Sequence, residues 1–303
     1  MKPQLRSLLG IRQLTTGQIE DLLALARRMD LKRPPQLLRG KRLVLLFYEA
    51  STRTRASFEF AATALGAIAT LITATSSSIE KGESLIDTGW TVASVGADAI
   101  VMRHPNSGAA SLLARYVDVP IVNAGDGMHQ HPSQALLDAL TITDHKKKLK
   151  GLRVVVVGDV YHSRVARSNA ELLSRFGVDI VFCGPPDFVP EVAATLAPGV
   201  TVCHDLNVAL QRADVVMALR VQKERLVNKH LSVEDYIANY QITPLRMRLA
   251  RPDAILLHPG PVIRGMELTS EVADGPNSCI LQQVTNGLAI RMAVLYLASQ
   301  GNQ

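Results

Sequence analysis

The chain has 303 residues, of which 47% are apolar and 20% are charged, and its formal net charge is +6 at pH 7. This length exceeds the usual span of one hydrophobic core, so it predicts a globular protein with two domains of about 150 residues each. Aromatic residues make up only 4% of the chain, which disfavours base stacking on single-stranded nucleic acid. The one dense basic run, residues 146–150, is more typical of a solvated linker than of a nucleic-acid surface.

The cysteines and the apolar runs give expectations about cellular location. Cys183, Cys203 and Cys279 have no paired spacing, so they predict neither a disulfide framework nor a zinc knuckle. Residues 1–30 carry charges throughout and lack the apolar core of a signal peptide. No stretch approaches the ~20 apolar residues of a membrane span. We therefore expect a cytoplasmic protein with reduced thiols and no membrane partner.

Strand and helix patterns alternate along the first half of the chain. Thr15 and Gln18 have the spacing of a capping box, which opens a helix with apolar residues on one face as far as residue 28. Further helices are predicted at 56–65, 84–95 and 107–116 and from Pro132 onward, and strands at 42–47, 67–72, 97–102 and 120–123. This alternation predicts a parallel sheet covered by helices on both faces.

The charged segment 144–150 interrupts this pattern and predicts a domain boundary. After it, strands are predicted at 152–157, 179–183, 201–204, 215–219 and 254–257, and helices at 164–176, 190–196, 234–240, 244–249 and 280–298. The predicted fold is α/β, with two doubly wound parallel-sheet domains at residues 1–145 and 146–279. The helix at about 280–300 is expected to pack back on the first domain. Because ligands of such sheets bind at the carboxyl ends of the strands, the active site is expected in the cleft between the domains.

The segment Ser51-Thr52-Arg53-Thr54-Arg55 falls on the predicted turn from a strand to a helix. Unpaired backbone N–H groups and the positive end of the helix dipole converge at such a turn. Three hydroxyls and two guanidiniums beside them suit a phosphate or a similar dianion. Alternatively, Ser51 or Thr52 caps the helix and both arginines face solvent. The alternation of hydroxyls with arginines favours the anion site.

Arginine or histidine also follows several other predicted strands. The segments are Arg103-His104-Pro105, residues 129–134, His162-Ser163-Arg164, residues 220–225 and His258-Pro259-Gly260-Pro261. Taken singly, each has a structural alternative: a surface arginine, a helix cap, a metal-binding pair of histidines, or a turn with a cis X-Pro bond. Taken together with residues 51–55, they indicate a site for small anionic substrates.

Motifs of the common nucleotide cofactors do not occur in the chain. The turn at Gly158 lacks the Gly-x-Gly-x-x-Gly pattern of dinucleotide binding, and no Walker A sequence is present. Neither redox chemistry nor nucleotide hydrolysis is therefore predicted, and we expect no cofactor and no metal.

Six motifs together resemble the carbamoyltransferase family, and in particular its aspartate-specific members. They are residues 51–55, 81–84, 103–105, 131–134, 220–225 and 258–261, which span most of the chain. The Arg-Val-Gln-x-Glu-Arg pattern at 220–225 is typical of members that use aspartate. The His-Pro-Cys-Gln and His-Cys-Leu-Pro patterns of the ornithine-specific members do not occur. Gly260 stands where some members have leucine.

The resemblance implies that the chain transfers the carbamoyl group of carbamoyl phosphate to L-aspartate, giving N-carbamoyl-L-aspartate and phosphate in pyrimidine (UMP) synthesis. It implies a phosphate site at Ser51, Thr52, Arg53 and Thr54. It also implies that Thr54, Arg103 and His131 direct donors at the carbonyl oxygen, and that Gln134 and the carbonyls near Gly260 and Pro261 hold the carbamoyl NH2.

For aspartate, the resemblance implies that Arg164 binds the α-carboxylate and that Arg220 and Gln222 bind the side-chain carboxylate. It further places Ser77 in the carbamoyl phosphate site and Lys81 in the aspartate site. Both lie on a polar loop that in the family reaches into a neighbouring subunit, so a homotrimer with shared sites is expected. Whether a regulatory chain or a dihydroorotase joins this trimer stays open. The alternative interpretation of the polar loop is an ordinary surface loop.

Three other functions compete with this expectation. A carbamoyltransferase could use a different amino acid as acceptor, although Arg220 and Gln222 favour an acidic one. A non-catalytic anion-binding or assembly subunit should have lost part of the set Arg53, Thr54, Arg103 and His131, and all four are present. A nucleic-acid binder would show salt-dependent binding.

Overall fold

The computed structural model describes residues 5–74, 82–222, 224 and 231–300. The chain divides into two compact units, the first formed by Met1–Leu137 with Thr285–Gln303 and the second by Asp138–Val284. None of the described helices is long and apolar enough to cross a membrane. The predicted division of functions between residues 1–145 and 146–279 stays a prediction.

The first sheet contains four parallel strands among the described residues, in the order β2-β1-β3-β4. The strands are β1 (Arg42–Phe47), β2 (Ile68–Thr73), β3 (Ala99–His104) and β4 (Ile121–Asp126). The helices that follow one another along this part of the chain are α1 (Thr16–Arg27), α2 (Thr52–Ala64), α3 (Leu85–Ser94), α4 (Ala109–Leu113) and α5 (Pro132–Lys146). A short 3₁₀ helix, Ile11–Gln13, precedes α1.

The strands β1, β3 and β4 are buried along nearly their whole length, as expected for a parallel sheet covered on both faces. One core cluster joins Leu46 of β1 and Ile100 of β3 to Val92 of α3 and Leu113 of α4. At the edge of the sheet, β2 is only partly buried. The sheet is therefore anchored at its centre, where β1 and β3 lie.

The second sheet contains five parallel strands among the described residues, in the order β7-β6-β5-β8-β9. The strands are β5 (Arg153–Val157), β6 (Asp179–Cys183), β7 (Val200–Cys203), β8 (Val215–Ala218) and β9 (Ile255–Leu257). The helices are α6 (Arg164–Ser174), α7 (Leu206–Leu210), α8 (Val233–Tyr240), α9 (Pro244–Met247), α10 (Ser270–Ala273) and α11 (Ile280–Gln300), with a 3₁₀ helix at Glu191–Leu196.

Two parallel α/β sheets confirm the predicted fold class. Several predicted boundaries were wrong by a few residues. Helix α2 begins at Thr52 rather than at residue 56, β3 and β4 extend to His104 and Asp126, and α5 continues to Lys146 into the charged segment. Helices α7 and α10 were not predicted, because helices of five and four residues are too short to show a helical period.

Helix α11 carries residues of both units, and from Thr285 onward it belongs to the first. There Arg291 Nη1 donates to Ser57 Oγ at 2.6 Å, and the guanidinium lies 5.2 Å from the centre of the Phe58 ring. This hydrogen bond and the cation–π contact attach the last helix of the chain to α2.

Each sheet has one point at which the strand order reverses. It lies between β1 and β3 in the first sheet and between β5 and β8 in the second. Ligands of open parallel sheets bind outside the carboxyl ends of the strands at such points. The segments that follow β1, β3, β5 and β8 are therefore where a site is expected.

Candidate active site

The segment predicted to bind an anion lies in the turn from β1 to α2 and forms the first turn of that helix. Ser51 occupies the N-cap position of α2 in an extended conformation, and its carbonyl accepts the Arg55 N–H at 3.1 Å. Its side chain makes no capping hydrogen bond, although Thr15 and Ser84 cap α1 and α3 with theirs. The first-turn N–H groups of Thr52, Arg53 and Thr54 point out of the helix end, where the dipole is positive. Ser51 thus occupies the N-cap position that the alternative interpretation expects, but its hydroxyl does not make the capping hydrogen bond.

The side chains of this turn separate into two groups. Thr54 is buried, whereas Thr52, Arg53 and Arg55 are exposed. Arg55 Nε lies 3.8 Å from Glu59 Oε2 one helical turn along, and both side chains are about half exposed. Such a surface pair contributes little to stability. Arg55 thus fits the solvent-facing alternative.

A cavity of about 350 Å³ opens beside this turn at the carboxyl ends of β1 and β2. Ser51 and Thr52 line it, together with Glu49 and Arg55. A space of this size at the carboxyl end of a parallel sheet is typical of a small-molecule site.

Arg103 is held in the first sheet by two acceptors. The side chain is only 9% exposed. Its Nη2 donates to Glu49 Oε1 at 2.5 Å, and its Nη1 donates to the Ala124 carbonyl at 3.1 Å. A buried guanidinium needs such partners because its desolvation is otherwise costly. Sequence reasoning selected Arg103 but missed Glu49, which lies two residues before Ser51.

His131 lies at the start of α5, directly before Pro132 at the first helical position. Its carbonyl accepts the N–H groups of Gln134 and Ala135 at 3.0 and 3.3 Å, so its backbone occupies the cap position. The side chain is 5% exposed. Gln134, which is also buried, lies three residues on and therefore on the same face of the helix.

The connection from β4 to α5 is organised by Asp126, which sequence reasoning missed. Its buried carboxylate accepts from Asn123 Nδ2 at 2.8 Å, Gly108 N at 2.7 Å and Gln130 N at 3.1 Å, and it lies 3.0 Å from His129 Nδ1. These bonds fix the loop that leads into His131. The Gly-Asp-Gly sequence at 125–127 was the available indication, since glycines flank a carboxylate where the backbone turns tightly.

His104 has a structural role next to Arg103. Its Nδ1 accepts the Asn106 N–H at 3.0 Å, and its ring lies 4.7 Å from that of Tyr48. Burial lowers the pKa of the His104 imidazole.

In the second unit, Arg164 is the first residue of α6, behind a cap that Ser163 makes to the Ala166 N–H at 3.1 Å. Asp159 lies five residues earlier and is buried. The Nδ1 of His162 lies 2.9 and 3.0 Å from the two carboxylate oxygens of Asp159. The segment after β5 thus presents Arg164 beside a histidine that a buried carboxylate orients.

The remaining predicted residues of this unit follow β8 and β9. Arg220 is exposed and Gln222 is half-buried after β8. Gly260 and Pro261 follow β9, and the peptide bond between them is cis. Because β5, β8 and β9 are neighbours in one parallel sheet, all these residues lie beyond the carboxyl ends of its strands, on the same side of the sheet. For the same reason, the carboxyl ends of the first sheet carry Ser51 to Thr54, Arg103 and His131.

Ser77 and Lys81, which were predicted to bind carbamoyl phosphate and aspartate, lie outside the described residues. Among the residues that are described, no group of three or more His, Cys, Asp or Glu side chains could hold a metal ion. His129, considered as a metal ligand with His131, instead pairs with Asp126.

Family models match both halves of the chain. The carbamoyl-P binding domain of aspartate/ornithine carbamoyltransferase matches residues 6–144, and the Asp/Orn binding domain matches residues 150–298. The chain therefore belongs to the aspartate/ornithine carbamoyltransferase family.

Individual relatives are similar over nearly the whole chain. The aspartate carbamoyltransferase catalytic subunit of Koribacter versatilis is 65% identical, with 96% of each chain covered. Aspartate transcarbamoylase of Trypanosoma cruzi, solved with carbamoyl aspartate and phosphate, is 32% identical with a TM-score of 0.83, covering 97% of this chain and 96% of that one. Ornithine carbamoyltransferase of Pyrococcus furiosus is 31% identical with a TM-score of 0.88, covering both chains completely. The backbone fold is thus shared by relatives named for different acceptors.

Proposed function

We propose that the chain transfers the carbamoyl group of carbamoyl phosphate to the amine of L-aspartate, giving N-carbamoyl-L-aspartate and phosphate in pyrimidine synthesis. The observation that carries the proposal is the 65% identity to a protein named aspartate carbamoyltransferase catalytic subunit, over 96% of both chains. Since the fold alone is shared with an ornithine enzyme, the choice of acceptor depends on side chains.

The phosphate group of carbamoyl phosphate binds to the first unit in this proposal. Ser51, Thr52, Arg53 and Thr54 hold its phosphate, supported by the hydroxyl of Ser51 that does not cap the helix. A dianion at this position meets the first-turn N–H groups and the positive end of the α2 dipole.

The carbonyl oxygen becomes more negative as the amine attacks, and preorganised donors stabilise it most in the transition state. Thr54, Arg103 and His131 are the proposed donors, and all three side chains are buried. Loss of one such donor commonly raises the barrier by about 3 kcal/mol. Gln134 and the carbonyls of Gly260 and Pro261 accept from the carbamoyl NH2.

L-Aspartate is a dicarboxylate and requires cations for both ends. Arg164 binds the α-carboxylate, and Arg220 with Gln222 binds the side-chain carboxylate, where a guanidinium gives planar, bidentate recognition. Lys81 adds a further cation to the aspartate, and Ser77 adds a hydroxyl to the carbamoyl phosphate.

The amine must lose a proton, and the departing phosphate is its proposed acceptor, while His131 donates to the carbonyl oxygen. A His131→Asn variant should then keep part of its turnover, because asparagine still offers an N–H donor. Complete loss of turnover with normal substrate binding would count against this role. No step requires a cofactor, because positioning and electrostatics supply the catalysis.

The proposed activity is tested with purified protein in a colorimetric assay of carbamoyl-amino-acid formation. Aspartate should be carbamoylated and ornithine should not. Faster carbamoylation of ornithine, or no product from either acceptor, would overturn the proposal.

A matched pair of variants tests the phosphate site in the same assay. Arg53→Ala should raise the KM for carbamoyl phosphate at least tenfold, by loss of a charge-assisted contact of about 1.5–3 kcal/mol. The control is Lys41→Ala, which should change this KM little, because Lys41 pairs with Asp98 at 3.0 Å directly before β1, at the opposite end of that strand from this turn.

We also propose a cytoplasmic homotrimer whose sites are shared between subunits. The resemblance supports shared sites, and the first unit exposes several large apolar side chains, including Phe60, Ile68 and Trp90, of the kind buried in subunit contacts. Mixing inactive Lys81→Ala and Arg103→Ala chains should restore activity in some sites. No recovery in verified mixed trimers would contradict shared sites.

A further inference from the structure

We propose that His258 and Glu267 are positioning residues that hold the 258–263 turn, whose Gly260 and Pro261 carbonyls bind the carbamoyl NH2. The inference rests on the proposed function and assigns to it two buried residues that touch no substrate. Both side chains are almost completely buried, His258 at 2% and Glu267 at 1% exposure.

The imidazole of His258 has a partner at each ring nitrogen. The Gly260 N–H donates to Nδ1 at 2.8 Å, so Nδ1 carries no proton. The ring proton therefore lies on Nε2, which donates to Glu267 Oε1 at 3.1 Å. These two bonds fix both the tautomer and the orientation of the ring, and they attach the ring to the residue whose carbonyl is proposed to bind substrate.

Glu267 closes the turn from its other end. The same oxygen, Oε1, accepts the Ile263 N–H at 2.6 Å. One carboxylate oxygen thus joins the start of the turn, through His258, to its end at Ile263. The segment between them, which contains Gly260 and Pro261, is held from both sides.

A chain of buried polar side chains continues this network within the second unit. The His258 N–H donates to Gln283 Oε1 at 2.9 Å, and Gln283 Nε2 donates to Asp138 Oδ1 at 2.7 Å. Asn169 Nδ2 donates to the other oxygen of Asp138 at 2.8 Å. The turn is therefore connected to α5, α6 and α11 through groups that are all buried. Buried networks of this kind make the conformation they specify rigid.

Rigidity matters here because the two carbonyls recognise the part of carbamoyl phosphate that distinguishes it from inorganic phosphate. A displacement of about 1 Å in a positioning group is sufficient to cost roughly 100-fold in rate. Loosening the turn should therefore weaken recognition of the carbamoyl group and leave recognition of the phosphate, which is assigned to the first unit, unchanged.

The experiment compares two variants with the wild type. Glu267→Ala removes the acceptor of both His258 and Ile263, and Glu267→Gln keeps a carbonyl oxygen that accepts from both. Steady-state kinetics gives kcat/KM for carbamoyl phosphate, and equilibrium dialysis gives the affinities for carbamoyl phosphate and for inorganic phosphate separately. Thermal melting and far-UV circular dichroism report folding.

We expect Glu267→Ala to lower kcat/KM for carbamoyl phosphate roughly 10- to 100-fold and to weaken its binding while the affinity for inorganic phosphate stays unchanged. Glu267→Gln should stay within about threefold of the wild type, since both bonds are kept. The control is Arg264→Ala. Arg264 directly follows the turn but pairs on the surface with Asp274 at 2.6 and 2.7 Å, and its loss should leave both affinities unchanged.

If Glu267→Ala does not fold, His258→Gln replaces it. Its amide nitrogen still donates to Glu267 and keeps the buried carboxylate paired, but no acceptor faces the Gly260 N–H. The inference is overturned if the folded variant loses affinity equally for carbamoyl phosphate and inorganic phosphate, or loses affinity for neither. A wild type that makes no carbamoyl aspartate overturns the proposed function instead, so the two failures are distinguishable.

Discussion

Arg103 and Glu49, 54 residues apart in the chain, form an ion pair in which Nη2 and Oε1 lie 2.5 Å apart. Glu49 follows β1 and Arg103 lies near the end of β3, and these two strands are neighbours in the first sheet. The Ala124 carbonyl of β4 accepts from the same guanidinium. The cation proposed to stabilise the carbonyl oxygen is therefore oriented by a residue that follows β1 and by a backbone carbonyl of β4, the two strands that flank β3 in the sheet.

Glu49→Gln should impair catalysis more than folding. The amide keeps one acceptor but removes the charge that orients Arg103, and a hydrogen bond to a charged group contributes about 1.5–3 kcal/mol. We expect kcat/KM for carbamoyl phosphate to fall roughly 10- to 100-fold. Asp179→Asn is the control, since it removes a half-exposed partner of Arg153 and should leave the kinetics unchanged. Unaltered kinetics in Glu49→Gln would show that Arg103 needs no orienting carboxylate.

Ser51→Ala should affect substrate binding and leave helix stability nearly unchanged. The Ser51 hydroxyl makes no capping bond, so the free energy of unfolding should change by less than about 0.5 kcal/mol. Its proposed bond to phosphate predicts a KM for carbamoyl phosphate raised about tenfold or more.

Thr15→Ala is the converse control for Ser51. Thr15 caps α1 in a complete capping box with Gln18, so its loss should cost about 1 kcal/mol of stability without a change in KM. Calorimetry and steady-state kinetics on both variants measure the two effects. A stability loss in Ser51→Ala equal to that in Thr15→Ala would favour the plain helix cap over the anion site.

What the sequence predicted well was local. The capping box of Thr15 and Gln18 spans three residues, and it is present as predicted. The apolar runs of β1 and β6 gave those strands their bounds, Arg42–Phe47 and Asp179–Cys183, because a buried parallel strand is a short continuous apolar segment.

What the sequence did not predict depends on residues that only the fold brings together. Glu49 meets Arg103 across two strands, and Gln283 meets Asp138 across 145 positions of the chain. No periodicity or local motif encodes such pairs, since each partner alone is an ordinary polar residue. The sequence could therefore name the residues proposed to touch substrate, whereas the carboxylates that orient them required the structure.

The three thiols should differ in reactivity toward iodoacetamide. Burial raises the pKa of Cys183 to about 12 and also raises the pKa of Cys279. A raised pKa keeps a thiol protonated at pH 8.5, and only the thiolate is alkylated at an appreciable rate. Native protein should therefore be labelled at the half-buried Cys203 first, and urea-denatured protein at all three. Mass spectrometry of peptides measures the labelling, and early modification of Cys183 in native protein would contradict its burial.

Two tyrosines of α8 provide a final test, because their hydroxyls differ in hydrogen bonding. The Tyr236 side chain is fully buried, and its Oη has no hydrogen-bond partner among the described residues, whereas Tyr240 Oη donates to the His204 carbonyl at 3.0 Å. Burial raises the pKa of Tyr236 well above its ordinary value.

A buried polar group without a partner costs about 1–3 kcal/mol, and a satisfied hydrogen bond contributes about 1 kcal/mol. Tyr236→Phe should therefore leave the free energy of unfolding unchanged or raise it by about 1 kcal/mol, and Tyr240→Phe should lower it by a similar amount. Calorimetry on the two variants measures the difference, and a larger loss in Tyr236→Phe than in Tyr240→Phe would mean that the Tyr236 hydroxyl is bonded in solution.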